Sequence, residues 1–451
     1  MQSVFNKKTL YTFFSLGVII AGTALAIQYA KGNFRVTEQG FMQGTGLLAA
    51  NSFPSGAEVH IDDKLTTATD DTLYLEPDTY LVEIIKDGYA PWKKQLRIEQ
   101  ELVTQTNAQL FPLAPSLSTL TFSGVENFQP SPNGEKIVYY SASASAEQKK
   151  GLYVLDLSTG LPFGTKQPFQ ISNTTPQFEL QNTQLIWSPD SSQLLVIAGT
   201  RALLLDTTKL NDLTQLQDVS LRLKQVFSEW EQEMYLRERQ YIKEFPEEVV
   251  AIASSSATNI YLSPDKRRLL YTVTAATTLP SGIVPNPFPS TNSVVEDRNL
   301  VPNTVYVYDR EEDKNYKVAT VQPKTEGSVP GKALLAADTF SPFSTLVTAS
   351  PSAFTSLQAS SSAEIADRFN NYHSPVFSNT LQWYPDSKHL LFVEDNAVKI
   401  MEHDGGNQTT LYSGPFTRNF IYPSPNGERV IIITSFSPAS PENFYAVELK
   451  K

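Results

Sequence analysis

Polar and apolar residues alternate in short runs along most of this chain, and one segment breaks the alternation. From Leu10 to Tyr29 the residues are mainly apolar, and no charge falls between Lys8 and Lys31. A run of about 20 such residues matches the hydrocarbon thickness of a bilayer, so the segment predicts a single membrane-spanning helix. Lys7 and Lys8 precede it without an acid, while Tyr11 and Tyr29 stand where interfacial aromatics sit. Ala24-Leu25-Ala26 also has the small-x-small pattern that a signal peptidase reads, so a cleaved, secreted form is the rival reading. On either reading the rest of the chain is exported, single-pass and extracytoplasmic if the anchor is kept. Three parts are expected: a cytoplasmic tip and anchor over 1–30, a small β-unit over 45–115, and a larger one over 116–451.

In the small unit, alternation begins near Leu47. Ala57-Glu58-Val59-His60-Ile61, Tyr80 to Lys86, Gln95 to Ile98 and Val103 to Thr106 read as strands, separated by Asp62-Asp63-Lys64 and Asp87-Gly88. They predict a small antiparallel β-sandwich. Pro54-Ser55-Gly56-Ala57 with Val59-His60-Ile61-Asp62, then Leu75-Glu76-Pro77-Asp78-Thr79-Tyr80, then Lys86-Asp87-Gly88-Tyr89-Ala90-Pro91-Trp92, resemble the PEGA domain. Ser55, Asp63 and Asp78 depart from the family's usual Glu, Gly and Gly, the two Asp at turns where Asp is itself a turn former. The resemblance implies a surface-associated β-module without a shared chemistry. Tyr89 and Trp92 are its candidate binding aromatics, as an exposed platform for sugars; the competing reading places both in the sandwich core.

The larger unit carries a repeat. A turn recurs as Ser131-Pro132-Asn133-Gly134, Ser188-Pro189-Asp190-Ser191, Ser263-Pro264-Asp265-Lys266, Tyr384-Pro385-Asp386-Ser387 and Ser424-Pro425-Asn426-Gly427. Pro sets φ at the first central position of a type I turn and Asp or Asn suits the next. Each turn leads into an apolar strand such as Ile137 to Tyr140 or Val430 to Ile433, and a second strand answers it, such as Leu152 to Leu157 or Phe444 to Glu448. Radial repetition of such units is the mark of a β-propeller. The repeat is similar to the propeller of TolB-like proteins, best over Val398 to Asn407. Five blades are expected, and a sixth near Phe340 to Thr348. Ser118 to Phe122, an orphan strand, is expected to close the ring on the last blade.

Insertions interrupt the rhythm near 213–246, 278–302 and 325–374. In the first, Leu221, Val226, Trp230, Met234 and Tyr241 recur at helical spacing until Pro246. Trp230 is a candidate partner-docking residue, with attachment to the propeller rim as the competing reading. The other two are proline- or serine-rich and read as surface loops.

Composition narrows the chemistry. The net charge is −11, which excludes nucleic acid as an expected partner. There is no cysteine, hence no disulfide, thiolate site or lipidated cysteine. His60, His373, His389 and His403 are scattered without ligand spacing. No nucleophile elbow, phosphate loop or zinc motif occurs. The sequence therefore predicts an all-β, non-catalytic binding or scaffold protein without a cofactor. It is tethered to the membrane by its N-terminal helix and displays its domains to an envelope protein or polysaccharide. A propeller glycosidase or lyase with axial carboxylates and a structural spacer are the alternatives.

Overall fold

A computed structural model of the chain describes residues 7–30, 34–36, 42–142, 149–158, 167–288, 292–321, 381–418, 420–437 and 440–450. The sixth blade expected near Phe340 and the insertion at 325–374 lie outside these residues. Two units emerge: Met1–Phe111 with Pro289–Val294, and Pro112–Phe288 with Val295–Lys451.

The first unit starts with helix α1, Lys7–Ala30. Its described side chains, at 11–24, 26 and 27, are all exposed, including Phe13, Phe14, Val18, Ile19 and Ile20. Among the described residues no helix is long and apolar enough to cross a membrane. The expected span is thus present as a helix but is not shown as a crossing.

Two sheets follow. Lys64–Ala68, Glu58–Ile61, Thr79–Ile85 and Trp92–Arg97 form one, all antiparallel. Val103–Gln105, Gly46–Ala50 and Asp71–Leu75 form the other. Alternate residues of both face a shared core that includes Leu48, Val59, Val82, Ile84 and Ile98. The sandwich is not purely antiparallel as expected, because Val103–Gln105 runs parallel to Gly46–Ala50. Ala108–Gln109 likewise runs parallel to Ser52–Phe53. A return strand of this kind caps the sheet after the hairpins are complete. Asn292 adds a bridge to Leu96, and Ser293 Oγ donates to the Gln95 carbonyl at 2.7 Å.

Among the described residues the second unit holds five antiparallel blades and a two-stranded antiparallel pair, Thr277–Thr278 with Asn299–Leu300. Blade 1 is Glu126–Pro130, Lys136–Ser141, Gly151–Asp156 and Phe169–Asn173. Blade 2 is Gln184–Trp187, Gln193–Ala198 and Arg201–Asp206. Blade 3 is Ala257–Leu262, Arg268–Val273, Thr304–Asp309 and Lys314–Thr320. Blade 4 is Gln382–Trp383, His389–Glu394, Ala397–Glu402 and Thr409–Tyr412. Blade 5 is Ile421–Pro423, Arg429–Thr434 and Asn443–Glu448, with Ser116–Thr119 added at its outer edge. That last pairing, Ser116 opposite Glu448 through Thr119 opposite Tyr445, is the ring closure expected from the orphan strand.

The period of two in each strand gives every blade two apolar faces, and neighbours cover them. Val138 and Val154 of blade 1 meet Leu194 and Leu203 of blade 2. Ile137 and Tyr153 meet Ile431 and Phe444 of blade 5 across the other face. Leu270 and Val307 of blade 3 share a core with Leu390 and Met401 of blade 4. Between blades 2 and 3 the partner is helical. Helix α2, Leu223–Ile242, sets Val226, Phe227, Trp230 and Met234 on Ile186 and Leu195 of blade 2. The end of α2, the link after it and helix α3, Glu247–Ser255, set Ile242, Phe245, Val249 and Ile252 on Tyr271 and Tyr308 of blade 3. A helical pair therefore occupies the place of a blade. Pro246 does not simply stop a helix, as expected; it caps α3, whose first turn carries Glu247 and Glu248 against the positive helix end.

Candidate functional site

The recurrent turns are built by side chains, and their hydroxyls explain the sequence. In blades 1, 2, 3 and 5 the leading serine Oγ donates to the Asp or Asn Oδ1 two residues on, at 2.8, 2.5, 2.5 and 2.7 Å. The same Oγ accepts the backbone N–H five residues on, from Lys136, Gln193, Arg268 and Arg429. The fourth turn residue adopts positive φ in all five turns: Gly134, Ser191, Lys266, Ser387 and Gly427. Gly427 has a further reason for lacking a side chain, since a Cβ there would lie 3.2 Å from the Tyr384 ring.

Blade 4 builds its turn differently. Tyr384 replaces the serine and its hydroxyl donates to the Gly427 carbonyl of blade 5. Asp386 instead accepts the backbone N–H of Lys388 and His389, and its Oδ2 sits 2.6 Å from Nδ1 of His389, which is 4% exposed. Burial works to raise the Asp386 pKa, but the His389 charge and these hydrogen bonds hold it below the usual carboxylate value.

Neighbouring blades are also stapled near their inner strands. Trp187 Nε1 donates to the Gln129 carbonyl at 2.9 Å, and Trp383 Nε1 to the Tyr261 carbonyl at 3.1 Å. Both residues precede a turn, in Trp-Ser-Pro-Asp and Trp-Tyr-Pro-Asp. Reading the turns alone misses them; the recurring Trp one residue earlier was the available signal. Between blades 3 and 4, fully buried Asp309 pairs with Arg268 Nε at 2.6 Å, and Arg268 Nη1 donates to the Ser387 carbonyl.

The candidate aromatics are not gathered into one place. Trp92 is 3% exposed within the sandwich core, and half-buried Tyr89 leans on that core. Trp230 is 8% exposed and turned to blade 2, so its indole covers the propeller rather than facing outward. His60 bonds Glu58, His389 is held in the turn, and His403 lies edge-on to Tyr316. His373 lies outside the described residues. Among the described residues no three His, Asp or Glu converge as a metal site. Among the described residues the carboxylates with a displaced pKa, including Asp190, Asp206 and Asp218, are displaced downward. For Asp206 and Asp218 hydrogen bonds from nearby Thr or Ser lead; for Asp190 burial opposes the shift and the bonds from Ser188 and Ser192 prevail.

A groove of about 840 Å³ opens on the second unit. Its floor is the outermost strand of blade 4, Thr409–Tyr412, and Gln408 before it. Its far wall is Leu113, Pro115 and Leu117, the approach to the strand that closes blade 5. Leu113 is 62% and Leu117 37% exposed, while Leu411 is buried. At one side Lys399 Nζ donates to Glu394 at 2.8 Å and Asp395 at 3.4 Å, and Gln408 Nε2 donates to the same Glu394 oxygen. Lys399 is 17% exposed, Glu394 53% and Asp395 83%, so what faces the solvent there is carboxylate. The hydrogen bond from Lys399 holds Glu394 below its usual pKa and lifts that of Lys399. Burial raises that of Tyr412.

Comparison with known proteins bears on the two units differently. No curated protein matches the chain. Among solved structures it is similar to a putative TolB from Agrobacterium tumefaciens at 12% identity and a TM-score of 0.20, over 69% of this chain and 70% of that one. TolB from Acinetobacter baumannii gives 13% and 0.21, over 82% of this chain and 61% of that one. An oligogalacturonate lyase from Vibrio parahaemolyticus gives 11% and 0.24, over 82% and 86%. At such scores the likeness carries no argument about arrangement or chemistry. The match to a protein family is definite for the first unit: residues 45–113 are a PEGA domain.

Proposed function

We propose that this chain is a non-catalytic binding or scaffold protein of the cell envelope. In this reading α1 tethers it to the membrane, and the PEGA domain and propeller are displayed outside the cytoplasm. The observation that carries the reading is α1 itself. It is a 24-residue helix without an acid, and all of its described side chains are exposed. A mainly apolar helix with its side chains exposed is poorly placed in water and better placed against lipid. The PEGA domain over 45–113 is consistent with surface display.

Cell fractionation tests the tether. The full chain is expected in the membrane pellet, released by detergent and retained after carbonate or high-salt washing. A form beginning at Lys31 is expected in the supernatant. Recovery of the full chain as a soluble species cut after Ala26 would replace the tether with secretion. For the binding role, the form beginning at Lys31 is immobilised and challenged with native envelope protein and polysaccharide. Retention of no component would remove the binding reading and leave the spacer.

A further inference from the structure

We propose that Asn133 and Asn426 are deamidation sites which the folded turns of blades 1 and 5 hold in check, and that conversion of either loosens its turn. The inference does not depend on the binding role proposed above. Asn followed by Gly occurs twice in the chain, at Asn133-Gly134 and Asn426-Gly427, both times in a recurrent turn. The chemistry is intrinsic to that pair, because glycine has no Cβ to shield its backbone nitrogen. The Gly nitrogen attacks Cγ of the Asn, its proton leaves with Nδ2 as ammonia, and a cyclic imide results. Water then adds to one of the two imide carbonyls and breaks its bond to nitrogen. One opening gives Asp, and the other gives an iso-aspartyl link that lengthens the backbone by one atom. Nothing is oxidised or reduced, and water is the sole co-reactant.

Crowding is what places glycine there. Blades 2, 3 and 4 carry Ser191, Lys266 and Ser387 at the same positive-φ position. In blade 1 a Cβ would lie 3.3 Å from the Tyr422 hydroxyl of blade 5, and in blade 5 it would meet the Tyr384 ring of blade 4. The turn then restrains both partners of the attack. The Gly134 N–H donates to the Ser131 carbonyl at 3.0 Å, and the Gly427 N–H to that of Ser424 at 2.8 Å. Oδ1 of Asn133 accepts from Ser131 Oγ and from the Glu135 N–H, and Oδ1 of Asn426 from Ser424 Oγ and the Glu428 N–H. Nδ2, the leaving group, donates to Oε2 of Glu135 at 2.9 Å and of Glu428 at 2.6 Å. That last bond sets these two turns apart. Where the third turn residue is Asp, the residue two further on is Ser192, Arg267 or Lys388, never an acid. Asp at 133 would bring its carboxylate against that of Glu135, where the amide had donated to it. At 426 the repulsion is softer, because Lys450 also pairs with Glu428 at 3.0 Å.

The test uses the full chain in detergent micelles, aged at mildly alkaline pH, beside the same chain unfolded in guanidinium chloride. Peptide mapping by mass spectrometry follows the gain of one mass unit at Asn133 and at Asn426. Freeing the side-chain amide and the Gly N–H means breaking turn bonds first, so the folded chain is expected to react at least about tenfold more slowly. Equal rates in the two states overturn the protection, and this measurement needs no variant. Loosening is read by thermal unfolding. Asn133→Asp is expected to lower the melting temperature. Adding Glu135→Gln to it is expected to recover the loss, since the Gln amide again donates across the pair. A melting temperature that Asn133→Asp leaves unchanged, or a loss that Glu135→Gln does not recover, overturns the loosening.

Discussion

One hydroxyl in four of the five recurrent turns both donates to a side chain and accepts a backbone N–H. The fifth turn, in blade 4, replaces that hydroxyl with solvent-facing Asp386 paired to buried His389, and this makes its stability pH-dependent. Asp386 is depressed in the folded chain. Its stabilising contribution is therefore present above the unfolded value of about 3.9 and is lost as pH falls through the lower folded value. Asp386→Asn should lower the melting temperature at neutral pH, and the gap to the parent should close below about pH 4. A gap that stays constant down to pH 3 would show that the charge is not what matters. The tryptophan staples give a second expectation. Trp187→Phe keeps most of the apolar area but leaves the Gln129 carbonyl without its donor, at a cost of about 1 kcal/mol. A lowered denaturation midpoint, with unchanged circular dichroism, is the measurement. These staples were visible in the sequence only as two tryptophans at one repeat position. The turns were legible because Pro and Asp leave no other conformation as favourable, whereas a hydrogen bond to the next blade depends on neighbours that no local pattern names.

At the scale of elements, strands on a two-residue period were read well. Strands rich in Thr and Lys, such as Lys64–Ala68, were not, because exposure on both sides leaves no alternation to see. The parallel return of Val103–Gln105 was invisible for a related reason: direction is decided by where the chain ends up, not by side-chain period. The helical insertion was foreseen as an element but not as a stand-in for a blade. Its apolar positions announce that something covers them, and only the structure shows that α2 covers blade 2 and α3 covers blade 3. The groove was not legible at all, since its two walls are nearly 300 residues apart in sequence. The closing strand is the element whose loss should matter most. Ser118→Pro removes a ladder donor opposite Ala446 and loosens the cover on the edge of Asn443–Glu448. It should cost at least about 1 kcal/mol and promote concentration-dependent association, followed by chemical unfolding and light scattering. Unchanged stability would mean that the ring is held by blade-to-blade faces alone.

For the molecule as a whole, Ser118 Oγ donates to Glu448, and Asn443 Oδ1 accepts from Thr121 and the Gly124 N–H. The two sides of that joint belong to opposite ends of the second unit, and this has a consequence for how the protein is made. Synthesis delivers Ser116–Thr119 early, while its partner Asn443–Glu448 emerges some 325 residues later, a sequence separation that slows folding. Until then the early strand is without its partner for nearly the whole of synthesis. A nascent chain in that condition is a target for holding chaperones and for proteases. A pulse of synthesis should accordingly leave the protein protease-sensitive until Asn443–Glu448 has been made and paired, and resistant soon after.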